Sequence, residues 1–261
     1  MGKARLALDS RGCKAVRAAT CRRRLSRMPE AFLERDFKAY EKHRQDDPEY
    51  NALRLSVRRK LKAMADSVQK EAKGLGVELS AQAGLHHPYT FNSYRVREQR
   101  AYLCRGPKER KKLASFFGEA LGKDAETHYI QTVLEVCLDD MVVEASLRIH
   151  PQAWWDGENL RKKCAKDEDA LKDFCTRLRA LPPGFDLRIH DWKKSNWCAQ
   201  AQPLQMKETL ALYTPGNHWL HVQRLLPKED ALEMGEQAEA WVKSSLLALL
   251  PVYQFILWDP S

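Results

Sequence analysis

The sequence lacks several features that assign a protein to a large functional class. Its longest apolar stretch, LLALLPVYQFILW from Leu246, is shorter than the ~18–20 residues of a membrane-spanning helix and contains Pro251. It has no glycine-rich phosphate loop, no dinucleotide-binding fingerprint, no G-x-S-x-G motif and no helical zinc motif. We therefore expect no membrane span, no resident cofactor and no bound metal.

The cysteines form no recognisable framework. The chain has seven, an odd number, and no two are spaced as Cys-x-x-Cys. Scattered cysteines of this kind argue against a disulfide scaffold and against a zinc site, and they are typical of a reducing compartment. The sequence predicts a cytoplasmic protein.

A formal net charge of +9 suggests nucleic acid as a partner, but the charge is concentrated at the start of the chain. Residues 1–27 carry nine basic side chains and one acid, a balance of +8, so the other residues sum to about +1. Three interpretations of this segment stay open: a start that belongs at Met28, a basic arm that contacts phosphates, or a targeting or tag sequence. We treat residues 28–261 as a single domain.

Hydrophobic periodicity predicts an α+β fold with a mostly antiparallel sheet and helices on one face of it. Helical patterns occupy residues 29–45, 48–76, 107–123 and 155–181, the last with a break near Lys166. A long amphipathic helix is expected from about Glu229. Alternating patterns predict a hairpin over residues 128–150, a strand over 185–192 and a second hairpin over 207–227.

The word Leu-Arg-Ile-His occurs twice, at residues 147–150 and 187–190. Its apolar and polar positions alternate as in a half-buried strand, so the leucines and isoleucines are predicted to face the core. If both strands belong to one sheet, the opposite face gathers Arg148, His150, Arg188 and His190, with Glu144 beside them. Guanidinium groups bind phosphate or carboxylate, and imidazole adds acid–base capacity. The alternative is a solvated face without a function.

Two further segments supply candidate ligand-binding residues. The stretch from Ser93 to Lys112 is basic and carries interleaved tyrosines, which favours contact with a phosphate backbone through Arg95 and Arg97. In HPQAWWDGENL we assign Trp155 as an aromatic wall for a base or sugar, with Asp156 as a helix cap. A solvated basic edge and ordinary core packing are the simpler alternatives.

The C-terminal segment LLALLPVYQFILW resembles the ending of a widespread family of bacterial conserved hypothetical proteins of unknown function. Upstream, YTFNSYRVREQRAYL is similar to the family's arginine-bearing extended stretch, but the lysine-rich continuation and the Lys-Pro-Tyr ending are missing. The resemblance follows the order of elements over residues 29–258. It implies an α+β fold and no catalytic residues.

Three functional hypotheses follow. In the first, the polar sheet face binds an anionic, phosphate-bearing ligand, nucleic acid or a small molecule, through Arg95, Arg97, Arg148, Arg188, His190 and Trp155. In the second, a hydrolase uses Glu144 and His150 as acid–base partners. In the third, the chain is a non-catalytic interaction module. The sequence leaves the oligomeric state open.

Overall fold

A computed structural model describes residues 31–84, 95–122, 131–190 and 196–259, with side chains from 117 to 122 excepted. The basic segment of residues 1–27 and the proposed start at Met28 lie outside the described residues. The fold is α+β, as predicted. The strands are β1 Leu79–Ala83, β2 Gln99–Arg105, β3 Thr132–Leu138, β4 Val142–Ile149, β5 Phe185–Ile189, β6 Asn196–Trp197 and β7 Leu220–Pro227. The helices are α1 Glu34–Lys38, α2 Asn51–Gly74, α3 Pro107–Gly122, α4 Trp154–Lys166, α5 Glu168–Arg179, α6 Pro203–Leu212, α7 Lys228–Met234, α8 Gln237–Ala248 and α9 Leu250–Ile256.

The seven described strands form one sheet in the order β1-β2-β3-β4-β7-β5-β6, and every described pairing is antiparallel. The predicted hairpin of β3 and β4 is confirmed, with Asp139 and Asp140 in its turn. Strand β7 lies between β4 and β5. The two Leu-Arg-Ile-His strands therefore share a sheet without pairing directly.

One face of the sheet is apolar and carries the helices. The leucines and isoleucines of both Leu-Arg-Ile-His words are buried in the main hydrophobic core, as the alternation predicted. Helix α2 packs across β1, β2 and β3, and α8 packs across β3 and β4. The core cluster runs from Phe32 to Ile256 and joins all of these elements.

Residues 207–212 are helical and belong to α6, so the strand predicted over residues 207–213 is wrong. Pro203 stands in the first turn of α6, where its fixed φ and missing N–H cost nothing. The sequence that follows is rich in leucine, lysine, glutamate and alanine, which favour helix. Met206 and Leu210, one helical turn apart, are buried against the core.

Two predicted helices are shorter than their sequence patterns. Helix α1 ends at Lys38, because the buried guanidinium of Arg54 takes the carbonyl oxygens of Ala39, Arg44 and Asp47 in the turns that follow. The closing helix is divided into α7, α8 and α9. Its first break is at Gly235, whose φ of 54° is left-handed.

Candidate functional site

The polar face of the sheet is the candidate site. One row of side chains crosses all seven described strands at successive register positions, and these residues are Gln82, Tyr102, Glu135, Ser146, Gln223, Asp186 and Trp197. The neighbouring row contains Val133, Arg148, His221 and Arg188. Side chains on alternate strand positions share a face, so these two rows form one polar surface.

The second row shows where the two Leu-Arg-Ile-His strands place their arginines. Arg148 and Arg188 lie on the same face, on either side of His221. Their backbones are two strand spacings apart, about 10 Å. The repeat thus places two guanidinium groups around an imidazole from a third strand.

An ion-pair network occupies the middle of the polar face. Glu135 is 1% exposed, accepts a hydrogen bond from Arg100 at 2.5 Å and forms an ion pair with Arg148 at 2.9 Å. Arg148 also lies 3.8 Å from Glu144, which accepts a hydrogen bond from Ser146 Oγ at 2.6 Å. Buried carboxylates and guanidiniums need such partners, because an unpaired buried charge is strongly destabilising.

The network shifts the pKa values of two of its carboxyl groups in opposite directions. Burial, followed by the nearby negative charge of Glu135, raises the pKa of Glu144. Burial alone would also raise the pKa of Glu98, but the charge and hydrogen bonds of Arg100 outweigh it and lower that pKa. The polar face therefore holds a carboxyl group that retains its proton to a higher pH than its neighbour.

His221 lies in the second row, between Arg148 and Arg188. Burial, and then the positive charge of Arg148 and of Arg100, hold the pKa of His221 well below its usual value. Its Nε2 atom is buried and has no hydrogen-bond partner among the described residues, and the same is true of Arg148 Nε. Its position between the buried Leu220 and Val222 is the sequence signal that identifies its face.

A small cavity lies beside Arg148 at the end of β4. It has a volume of about 20 Å³ and is lined by Gln131, Val133, Arg148, His150 and Trp219. The Trp219 indole forms part of its lining. The His150 ring meets that indole edge-on at 4.1 Å, and the Arg148 guanidinium lies 5.2 Å from its centroid. A cavity of this size accommodates one oxygen-sized group.

Histidines also stand at the rim of this end of the sheet. His190 is exposed and has a left-handed backbone, with φ of 50°. Its backbone N–H donates to the carbonyl of Trp219 at 2.8 Å, and its ring lies 5.6 Å from that of His218. A non-glycine residue in this conformation is uncommon and is held by its surroundings.

The tryptophan assignment needs correction. Trp155 is 5% exposed and packs in the interior, so it offers no wall to a surface ligand. Its neighbour Trp154 is 51% exposed and lies against Gly216 in the turn that leads to His218. The predicted cap, Asp156, is also buried, and it forms an ion pair with Arg105.

Arg95 and Arg97 lie at the opposite end of the sheet. They precede Gln99, which pairs with Leu138, whereas Arg148 pairs with Val133 five positions away on β3. Five strand residues span about 17 Å, so these arginines do not join the second row. The basic stretch that contains them is also not a continuous solvent-facing strip, since Arg100 and Arg105 are held in ion pairs.

The two residues of the hydrolase hypothesis are also separated. Glu144 lies near the start of β4 and His150 lies just beyond its end, six positions later. At ~3.4 Å per residue this is about 20 Å, too far for a shared hydrogen bond. His150 Nδ1 instead accepts the backbone N–H of Gln152 at 3.0 Å. The geometry gives this acid–base pair no support.

Several other features bear on function. In the described parts of the chain, no group of three or more histidine, cysteine or carboxylate side chains is arranged to hold a metal ion. Within the same residues, no helix is both long and apolar enough to cross a membrane. The five described cysteines are buried and form no disulfide with one another. No family model and no curated protein matches the sequence.

Proposed function

We propose that the polar sheet face binds a small phosphate-bearing ligand, whose anionic group contacts Arg148, His221 and Arg188. The guanidinium of Arg188 is the accessible part of this row, with a side chain that is 44% exposed. One oxygen of the anion would enter the cavity beside Arg148, and the rest of the ligand would extend over Arg188 toward the rim with His190 and Trp154. Arginine suits this role because its donors match the oxygens of phosphate.

The observation that carries the proposal is a pair of unsatisfied nitrogens. Arg148 Nε and His221 Nε2 belong to register partners on adjacent strands, and both are buried without a hydrogen-bond partner in the described residues. Nearly all buried polar atoms in folded proteins have a partner, and losing one costs about 1–3 kcal/mol. Two such atoms on register partners, one of which lines a cavity, are typical of a place where a polar group binds.

The charge balance favours a compact anion over a long nucleic-acid strand. The ion pairs of the polar face bring together four carboxylates and three guanidiniums, and these groups are Glu98, Glu135, Glu144, Asp186, Arg100, Arg148 and Arg188. Binding along a nucleic-acid backbone depends on a surplus of positive charge. This face has none, so recognition would depend on directed hydrogen bonds to one anionic group.

Calorimetric titration with inorganic phosphate at constant ionic strength tests the proposal. We expect saturable binding that Arg188→Gln weakens at least about fivefold, equivalent to about 1 kcal/mol. The matched control is Arg161→Gln on α4, because Arg161 is 40% exposed and ion-paired to Glu158 in a similar way. Its affinity for phosphate should match that of the wild type.

Two results would count against the proposal. If phosphate fails to bind, the polar face is an internal ion-pair lattice, and the non-catalytic interaction module becomes the leading hypothesis. If Arg188→Gln and Arg161→Gln weaken binding equally, phosphate responds to net charge and not to this row.

A further inference from the structure

We infer that anion binding at this site takes up one proton at His221, whose protonated imidazole then donates a hydrogen bond from Nε2 to the bound anion. The inference rests on the proposed function and makes His221 the residue that couples the site to pH. It concerns a residue that the sequence patterns did not select.

The geometry places His221 where an anion shared by the two arginines would lie. Arg148 is its register partner on β4, and Arg188 is its register partner on β5. An anion that contacts both guanidiniums must pass over the imidazole between them. The Nε2 atom of His221 is without a hydrogen-bond partner among the described residues, so it is available to that anion.

The surroundings of His221 explain why the proton is absent before the anion binds. Burial and the charges of Arg148 and Arg100 lower its pKa, with a smaller contribution from Arg188, while a hydrogen bond with the Gln223 side chain acts in the opposite direction. Other charged groups on these strands are Glu135, Glu144 and Asp186, which are engaged with the arginines, and His150 lies beyond Trp219. His221 is consequently neutral near pH 7.

A bound anion opposes the charge part of these influences. Its negative charge offsets the two guanidiniums, and its oxygen supplies an acceptor that only a protonated or N–H-bearing Nε2 can use. The pKa of His221 must then rise on binding. By linkage, a group that gains a proton on binding makes the affinity increase as the pH falls, by up to tenfold for each pH unit between the free and bound pKa values.

Sulfate is the probe that isolates the protein's contribution, because it stays a dianion over the working range whereas phosphate titrates within it. Calorimetry of the whole chain, in two buffers of different ionisation enthalpy, measures the protons taken up with sulfate. We expect an uptake of about one proton near neutral pH, and over the same range an affinity that falls by up to about tenfold for each unit of rising pH.

Glu144 needs a control, because its raised pKa makes it a second proton acceptor near Arg148. Glutamine at either position cannot titrate and keeps a hydrogen-bonding side chain of similar length. His221→Gln should bind sulfate with little dependence on pH and no proton uptake. Glu144→Gln should keep both the pH-dependent sulfate affinity and the proton uptake. If the uptake instead disappears in Glu144→Gln and persists in His221→Gln, the inference is wrong.

The wild type supplies a test that does not depend on a folded variant. In its NMR spectrum, the imidazole C–H resonance of His221 should move from the neutral to the protonated position on saturation with sulfate. Sulfate binding without this movement and without proton uptake overturns the inference and leaves the proposed function standing. Failure to bind either sulfate or phosphate overturns both.

Discussion

The protein contains two buried arginine–carboxylate systems on opposite faces of one sheet, and they differ in how completely their hydrogen bonds are made. On the helix-covered face, Arg105 donates to both oxygens of Asp156 at 2.6 and 3.0 Å and to the carbonyl of Trp258 at 3.1 Å. Asp156 also accepts from Thr132 Oγ1 at 2.7 Å and from the Trp258 N–H at 2.8 Å. This system ties β2, β3 and α4 to the C-terminal segment.

On the polar face, Arg148 is only partly satisfied. Its Nη2 atom contacts Glu135, but its Nε atom is buried without a partner among the described residues, as is Nε2 of the adjacent His221. A complete network fixes a fold, whereas an incomplete one leaves directed polar atoms for another molecule. The difference favours a structural role for Arg105–Asp156 and is consistent with the binding role proposed for the Arg148 row.

The largest effect is expected from breaking the complete system. Asp156→Asn keeps the side-chain shape but leaves the Arg105 charge buried without a counter-ion, so we expect a loss of about 3–5 kcal/mol in the free energy of unfolding. Urea denaturation measures it. The control, Glu158→Gln on the same helix, removes a more exposed pair and should cost less than about 1 kcal/mol. Equal costs for the two variants would contradict a structural role for Asp156.

In the incomplete system around Arg148, Glu135→Gln should lower the free energy of unfolding less than Asp156→Asn does, and it should increase the affinity for phosphate. Arg100 retains Glu98 and Arg148 retains Glu144, so we expect a cost of about 1.5–3 kcal/mol. Removing one carboxylate equalises the acidic and basic groups of the face, and phosphate affinity should rise severalfold. Titration with phosphate measures it.

Glu208→Gln, at an exposed position of α6, makes the same change in net charge and serves as the control for Glu135→Gln. Its phosphate affinity should match that of the wild type. If Glu135→Gln binds phosphate no more tightly than Glu208→Gln does, Arg148 is not the anion's partner.

The pH dependence of stability separates two carboxyl groups within the polar face. The raised pKa of Glu144 gives it a contribution that is complete below the unfolded value of about 4.3 and is lost as the pH rises through the folded pKa. The lowered pKa of Glu98 gives the opposite behaviour, a contribution present above about 4.3 and lost as the pH falls. Unfolding free energies of Glu144→Gln and Glu98→Gln should therefore deviate from the wild type with opposite pH slopes. Slopes of the same sign would show that the two groups share one environment.

The sequence predicted the fold class and the polarity of individual strands, because both depend on local periodicity. The alternation in Leu-Arg-Ile-His was sufficient to assign Leu147 and Leu187 to the core and Arg148 and Arg188 to the other face. It was insufficient to find the strand between them. Strand order depends on pairings distant in the chain, and β7 follows β5 by some thirty residues.

The site was predicted in part for the same reason. Arg148 and Arg188 share a face, but Arg95 and Arg97 lie at the other end of the sheet, which only the register reveals. Glu135 stands in TVLEVCL, a run in which a single acid gives no sign that two arginines converge on it. Burial that depends on partners from other strands leaves no local pattern.

The smallest effect is expected at the rim, where His190 holds a left-handed backbone beside the incomplete system. Glycine adopts this conformation without steric cost, so His190→Gly should raise the free energy of unfolding by up to about 1 kcal/mol, less the entropy that glycine adds to the unfolded chain. Glu208→Gly is the control, because Glu208 is exposed in the interior of α6, where glycine should destabilise by about 0.5–1 kcal/mol. Phosphate affinity of His190→Gly should stay within about twofold of the wild type, since the proposed anion position at Arg188 and His221 lies two residues away along the chain. If His190→Gly gains stability but loses much of its phosphate affinity, the anion binds at the rim and not at His221.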